Sequence, residues 1–90
     1  MGILATQADE RVKDLHIEDD MLTVNLLDGR IISVLLALYP KLYKAEKEKL
    51  LHWEIAGGGY GIYWPEIDED LSTEGLLRGA PAPRAVSKSV

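Results

Sequence analysis

The chain has 90 residues, with 15 acidic against 10 basic side chains, a formal net charge of −5 and no cysteine. That composition excludes a disulfide framework, a thiolate zinc site and a cysteine nucleophile, and it suits a reducing cytoplasm. It also disfavours nucleic acid as a ligand of this domain alone, since phosphate affinity comes from lysines and arginines.

Residues 1–10 read as a flexible leader. Met1-Gly2-Ile3-Leu4-Ala5-Thr6 fits the loose acylation consensus, but that pattern is too short to carry weight. No basic and apolar blocks mark a signal peptide, and the apolar run Ile31 to Leu38 is far below the roughly 20 residues that span a bilayer. A single domain is therefore expected over 11–79, with no membrane contact. A chain of that size buries only about 60% of its unfolded surface, so a homodimer would help it.

From Asp9 to Val34 the alternation predicts a three-stranded antiparallel meander. Asp28-Gly29 is a two-residue hairpin signal, because a type I′ turn needs positive φ at both central positions. It sets Leu26 opposite Ile31, Val24 opposite Ser33 and Leu22 opposite Leu35. A second tight turn at Asp19-Asp20 sets Ile17 against Leu22 and Leu15 against Val24. Both turns then place Leu15, Ile17, Leu22, Val24, Leu26, Ile31 and Leu35 on one face, and a slip of one residue would turn a strand over. The other face carries Asp14, His16, Glu18, Thr23, Asn25 and Arg30.

Pro40 suits the first turn of a helix. A short helical turn is expected near Lys41 to Lys44, then a helix from about Ala45 to Trp53 with Tyr43, Leu50 and Trp53 toward the sheet. Glu54-Ile55-Ala56 and Tyr60 to Trp64 predict a strand pair around Gly57-Gly58-Gly59, ended by Pro65. Ser72 or Thr73 would cap a short C-terminal helix that closes the core with Leu76 and Leu77. Residues 80–90, APAPRAVSKSV, have almost nothing to bury and read as a disordered tail. The fold class is α+β.

Each pattern that suggests chemistry fails on spacing. Gly57 and Gly59 begin a G-x-G-x-x-G fingerprint, but Ile62 stands at its sixth position and an aromatic strand follows. An EF-hand loop counted from Asp68 meets Thr73 where glycine is required and Gly79 where the bidentate glutamate belongs. His16, Glu18 and Asp20 share a side only if the first strand runs on, and a turn at Asp19-Asp20 prevents that. His52 has no identifiable carboxylate partner. Lys41, Lys44, Lys47 and Lys49 interleave with Glu46 and Glu48, as on a solvated helix. No catalytic, cofactor-binding or metal residue is assigned.

The order R-V-K-D, a hairpin ending in D-G-R, I-S-V, L-x-x-Y-P-x-L, and W-x-I-x-G-G-G-Y-G-I-Y-W-P-E-I-D-E-D-L-S-x-E-G-L-L-R-G resembles the DUF2442 family of small bacterial domains of unknown function, over about Arg11 to Gly79. The resemblance implies an α+β domain found alone or joined to a helix-turn-helix domain. It also implies a neighbouring gene for a small protein suspected of being a toxin, and hence an antitoxin-like role. No second domain is expected after Gly79, which removes the direct route to DNA. Family members often have serine or threonine with proline before the second helix, where this chain has Ala45-Glu46, so the start of that helix is the point of departure.

The expected function is a non-enzymatic protein-interaction domain, the antitoxin-like partner of a basic toxin-like protein. Its expected contact surface is Tyr60, Tyr63 and Trp64 with Glu66, Asp68 and Asp70, since tyrosine and tryptophan anchor interfaces and carboxylates steer basic partners. Core packing is the competing role for Trp53 and Trp64. The alternative function is a small-ligand or metal-binding domain, or an enzyme without a recognisable motif, built on His16 or the glycine turn.

Overall fold

The structure, a computed structural model, describes residues 7–79. The expected tail and the first six residues of the expected leader lie outside the described residues. The architecture is α+β: two three-stranded antiparallel sheets with short helices between and after them.

Sheet A is the expected meander, β1 (Val12–Glu18), β2 (Met21–Leu26) and β3 (Ile31–Leu35) in sequential order. The Asp19-Asp20 turn is as tight as its sequence predicts: φ is 51° and 63° at its two residues, and it pairs Ile17 with Leu22 and Leu15 with Val24. Leu15, Leu22, Val24 and Leu26 are all buried.

The second hairpin departs from expectation by one residue. Leu26 N–H donates to Arg30 O at 2.9 Å and Gly29 N–H to Leu26 O at 3.0 Å, so the loop holds Leu27, Asp28 and Gly29 rather than two residues. Only Gly29, at φ 97°, takes a positive φ; Asp28 instead turns its carboxylate onto the amides of Arg30 and Asp9. Val24 therefore faces Ile32, Leu22 faces Val34, and β3 is turned over relative to the expected face. Ile31 and Leu35 point outward, 66% and 57% exposed, while Ile32 and Val34 pack against the core.

After a one-turn 3-10 segment, Leu36–Leu38, α1 (Pro40–Tyr43) begins on its proline. The expected helix from Ala45 to Trp53 is cut to α2 (Lys47–Leu50). Glu46 is extended, at φ −70° and ψ 143°, with no side chain capping the helix. At the other end the Trp64 indole N–H donates at 3.1 Å to Leu50 O, which fixes that terminal carbonyl. Leu50 is buried and Trp53 half-buried, but Tyr43 is not turned to the sheet.

Sheet B gains a third strand that the acidic sequence hid: β4 (Glu54–Ala56), β5 (Gly61–Trp64) and β6 (Glu69–Ser72). Glutamate and aspartate are depleted in strands, yet Leu71 opposite Ile62 and Glu69 opposite Trp64 hold the pairing. Ser72 caps α3 (Thr73–Arg78), accepting from Gly75 N–H at 2.9 Å, and Gly79 ends it at φ 75°. Leu76 closes the core as expected, whereas Leu77 is exposed.

One core joins the sheets. Leu22, Val24 and Leu26 meet Leu36, Tyr39 and Leu42, and these meet Ile62, Trp64 and Leu71 of sheet B. Burial, and then the nearby Glu69 carboxyl, raise the pKa of the Tyr39 phenol.

Candidate functional site

The six residues of the expected contact surface are not all exposed. A strand sends alternate side chains to opposite faces, so Tyr63 faces out while Ile62 and Trp64 face in. Trp64 is wholly buried, and its place on a contact surface gives way to core packing. Tyr63 is flanked across the ladder by Glu54 and Asp70, which makes a small acidic outer face on sheet B. Tyr60 lies before the strand, half exposed, and its carbonyl accepts from Thr73 N–H at 2.9 Å.

Glu66 and Asp68 sit in the β5–β6 loop and are partly engaged by the chain itself. Glu66 Oε2 lies 2.7 Å from His52 Nδ1, so His52 does have a carboxylate partner, 14 residues away in sequence. Lys41 Nζ donates to Asp68 O at 2.6 Å. These two links tie the helical segment to the loop of sheet B.

The glycine cluster takes backbone angles that side chains disfavour. Gly57, Gly58 and Gly59 all take positive φ, 59°, 69° and 104°. A Cβ on Gly59 would stand 2.9 Å from Arg11 Cγ, so the missing side chain admits the Arg11 stem. Arg11 in turn forks onto Asp9, with bonds of 2.9 and 2.7 Å, which anchors the end of the expected leader.

A concavity lies elsewhere. A cleft of about 810 Å³ opens between β1 and the α1–α2 segment. That is within the range of about 300–1,000 Å³ typical of binding sites. One wall is Leu15, His16, Ile17 and Glu18 of β1. The other is Tyr43, Ala45, Leu50, Leu51 and Trp53, with Lys47 at its edge. At the hairpin tip Glu18, Asp19 and Asp20 form an acidic lip.

Two features distinguish this cleft from an ordinary surface dip. Leu51 is 74% exposed and Tyr43 52%, so its helical wall presents apolar surface to solvent. Asp19 and Asp20 hold left-handed backbone angles that Asn-Gly would adopt more comfortably. His16, Glu18 and Asp20 all line the cleft, yet no three His, Cys, Asp or Glu side chains among the described residues converge on a point that would hold a metal ion. Sequence reading misses the cleft because the shortened α2 leaves Leu51 unpacked beside a strand more than 30 positions earlier.

No helix among the described residues is long and apolar enough to cross a membrane. No curated protein matches the chain. It is similar to a crystal structure of a protein of unknown function from Rhodospirillum rubrum, at 30% identity over 83% of this chain and 93% of that one, with a TM-score of 0.72. It shares the fold of an uncharacterized protein from Chromobacterium violaceum solved by solution NMR, at 24% identity over 80% and 68% of the two chains, TM-score 0.70. The family described as protein of unknown function (DUF2442) matches residues 12–82, most of the chain, and the protein belongs to that family.

Proposed function

We propose that this chain is a non-enzymatic protein-interaction domain that receives a basic partner in the cleft beside β1. The observation that carries the reading is the pairing of exposed apolar side chains, Leu51 and Tyr43, with the acidic lip Glu18, Asp19 and Asp20 around one concavity. Apolar contacts of this kind supply affinity, and the carboxylates steer a positively charged approach. The net charge of −5 works in the same direction.

The specific form is antitoxin-like: a cytoplasmic protein that holds a small basic toxin encoded beside it. Calorimetric titration of the purified pair tests this. A complex at or below micromolar Kd that weakens as salt rises is the expected result; no heat at about 10 μM of each protein would overturn the antitoxin form. Thermal-shift measurements with metal ions and nucleotides test the competing small-ligand function. Stabilisation by one such ligand that Leu51→Ser removes would move the cleft to that class.

A further inference from the structure

On the interaction reading above, the way a partner enters the cleft follows from the edge of sheet A. β1 is an edge strand, with β2 on one side only. Its outward groups follow from the turn. A two-residue hairpin loop is closed by a pair that exchanges both hydrogen bonds, and Glu18 faces Met21 across Asp19-Asp20. Counting back by twos, Glu18, His16 and Asp14 aim their N–H and C=O groups at β2, while Ile17 and Leu15 aim theirs away. The Leu15 amide agrees with the count: it donates at 2.8 Å to Asp14 Oδ1, a local side chain, not to β2. Among the described residues, no backbone group beyond β2 pairs with Leu15 or Ile17.

The cleft follows this margin. Leu15, His16, Ile17 and Glu18 line it consecutively. Because alternate side chains point to opposite faces, a concavity touched by four in a row reaches the sheet's edge, while Leu36 carries it beneath the hairpin tip. An open edge beside an apolar wall is the arrangement that accepts an added strand.

We infer that the cleft binds an extended segment of a basic partner protein, which joins sheet A as a fourth strand on β1. Its backbone pairs with the N–H and C=O of Ile17 and the C=O of Leu15. An inward leucine or valine packs on Leu50, Leu51 and Trp53, and a flanking lysine or arginine meets the acidic lip. Charge selects this occupant: three carboxylates stand at the lip against Lys47 on the far wall.

The probe is a synthetic peptide of about seven residues alternating leucine with lysine, titrated into the full chain and followed by amide NMR. Expected are shifts centred on Leu15 to Glu18, slowed exchange of the Ile17 amide, and at least tenfold weaker binding when the edge-facing peptide amides are N-methylated. If the N-methylated peptide binds equally well and Leu51→Ser abolishes both, strand addition is wrong while the cleft reading stands. If shifts fall away from the cleft, both are wrong. An acidic analogue that binds as well would overturn the choice of a basic segment. So would an Ile17 amide already protected without peptide: a dimer by sedimentation would assign the edge to a second copy, and loss of protection on removing residues 80–90 would assign it to the chain's own C-terminal segment.

Discussion

Replacing Asp19-Asp20 by Asn-Gly separates stability from binding at one turn. Both aspartates hold left-handed angles, φ 51° and 63°. That conformation costs an ordinary L-residue about 1–2 kcal/mol and an aspartate somewhat less. Glycine at position 20 removes its share of the strain but adds about 0.5–1 kcal/mol of freedom to the unfolded chain. The net effect is a gain of about 0.5–1 kcal/mol, or about 2–8 °C in Tm for a domain of this size. The same change deletes two of the three carboxylates at the cleft's lip. Exposed ion pairs are worth about 0.2–1 kcal/mol each, so affinity for a basic partner should fall about 2- to 30-fold. Thermal melting followed by circular dichroism and calorimetry at two salt concentrations read the two effects. A lower Tm would refute the turn assignment, and unchanged affinity would refute the role of the lip.

Three further changes test other parts of the structure. Trp64→Phe removes the indole donor to Leu50 O and leaves a partly filled core, so it should cost about 2–3 kcal/mol in urea unfolding; a loss under about 1 kcal/mol would contradict it. Glu69→Met takes a buried carboxylate whose Oε2 has no hydrogen-bond partner out of the core, and should leave Tm unchanged or raise it; marked destabilisation would show that the carboxylate is held after all. Asp28 is held well below the usual carboxylate range, first by the Arg30 guanidinium and then by the amides of Asp9 and Arg30. Since its folded pKa is depressed, the stability it contributes is present above the unfolded value near 4 and is lost as pH falls toward the folded value. Asp28→Asn should therefore be less stable at pH 7, with the gap narrowing below about pH 4; parallel pH curves would refute the assignment.

The fold was legible wherever a residue type admitted one backbone geometry. Asp19-Asp20 had too few residues between two alternating runs for anything but a tight turn, and β1 against β2 followed. Asp28-Gly29 admitted two solutions, because glycine serves equally at the second position of a two-residue turn and at the bulge of a three-residue one. The run Ile31-Ile32-Ser33-Val34-Leu35 is apolar on both faces, so its pattern does not oppose the one-residue slip. β6 was hidden by its acidic residues, which pair as a strand only because Ile62 and Trp64 offer them a ladder. The contact between His52 and Glu66, and the cleft itself, are products of tertiary packing across separate elements and leave no spacing signal. The lip residues Glu18 and Asp20 were visible as chemistry-bearing side chains, but the apolar wall that gives them a use was not.

Leu51 offers the most direct measurement. At 74% exposure it contributes little to the core, so Leu51→Ser should melt within about 4 °C of the parent chain. Titrated against the protein encoded beside it, the parent chain should bind at or below micromolar Kd and Leu51→Ser at least tenfold more weakly. Equal affinity of the two, with both folded, would contradict the claim that this domain works through the cleft beside its first strand.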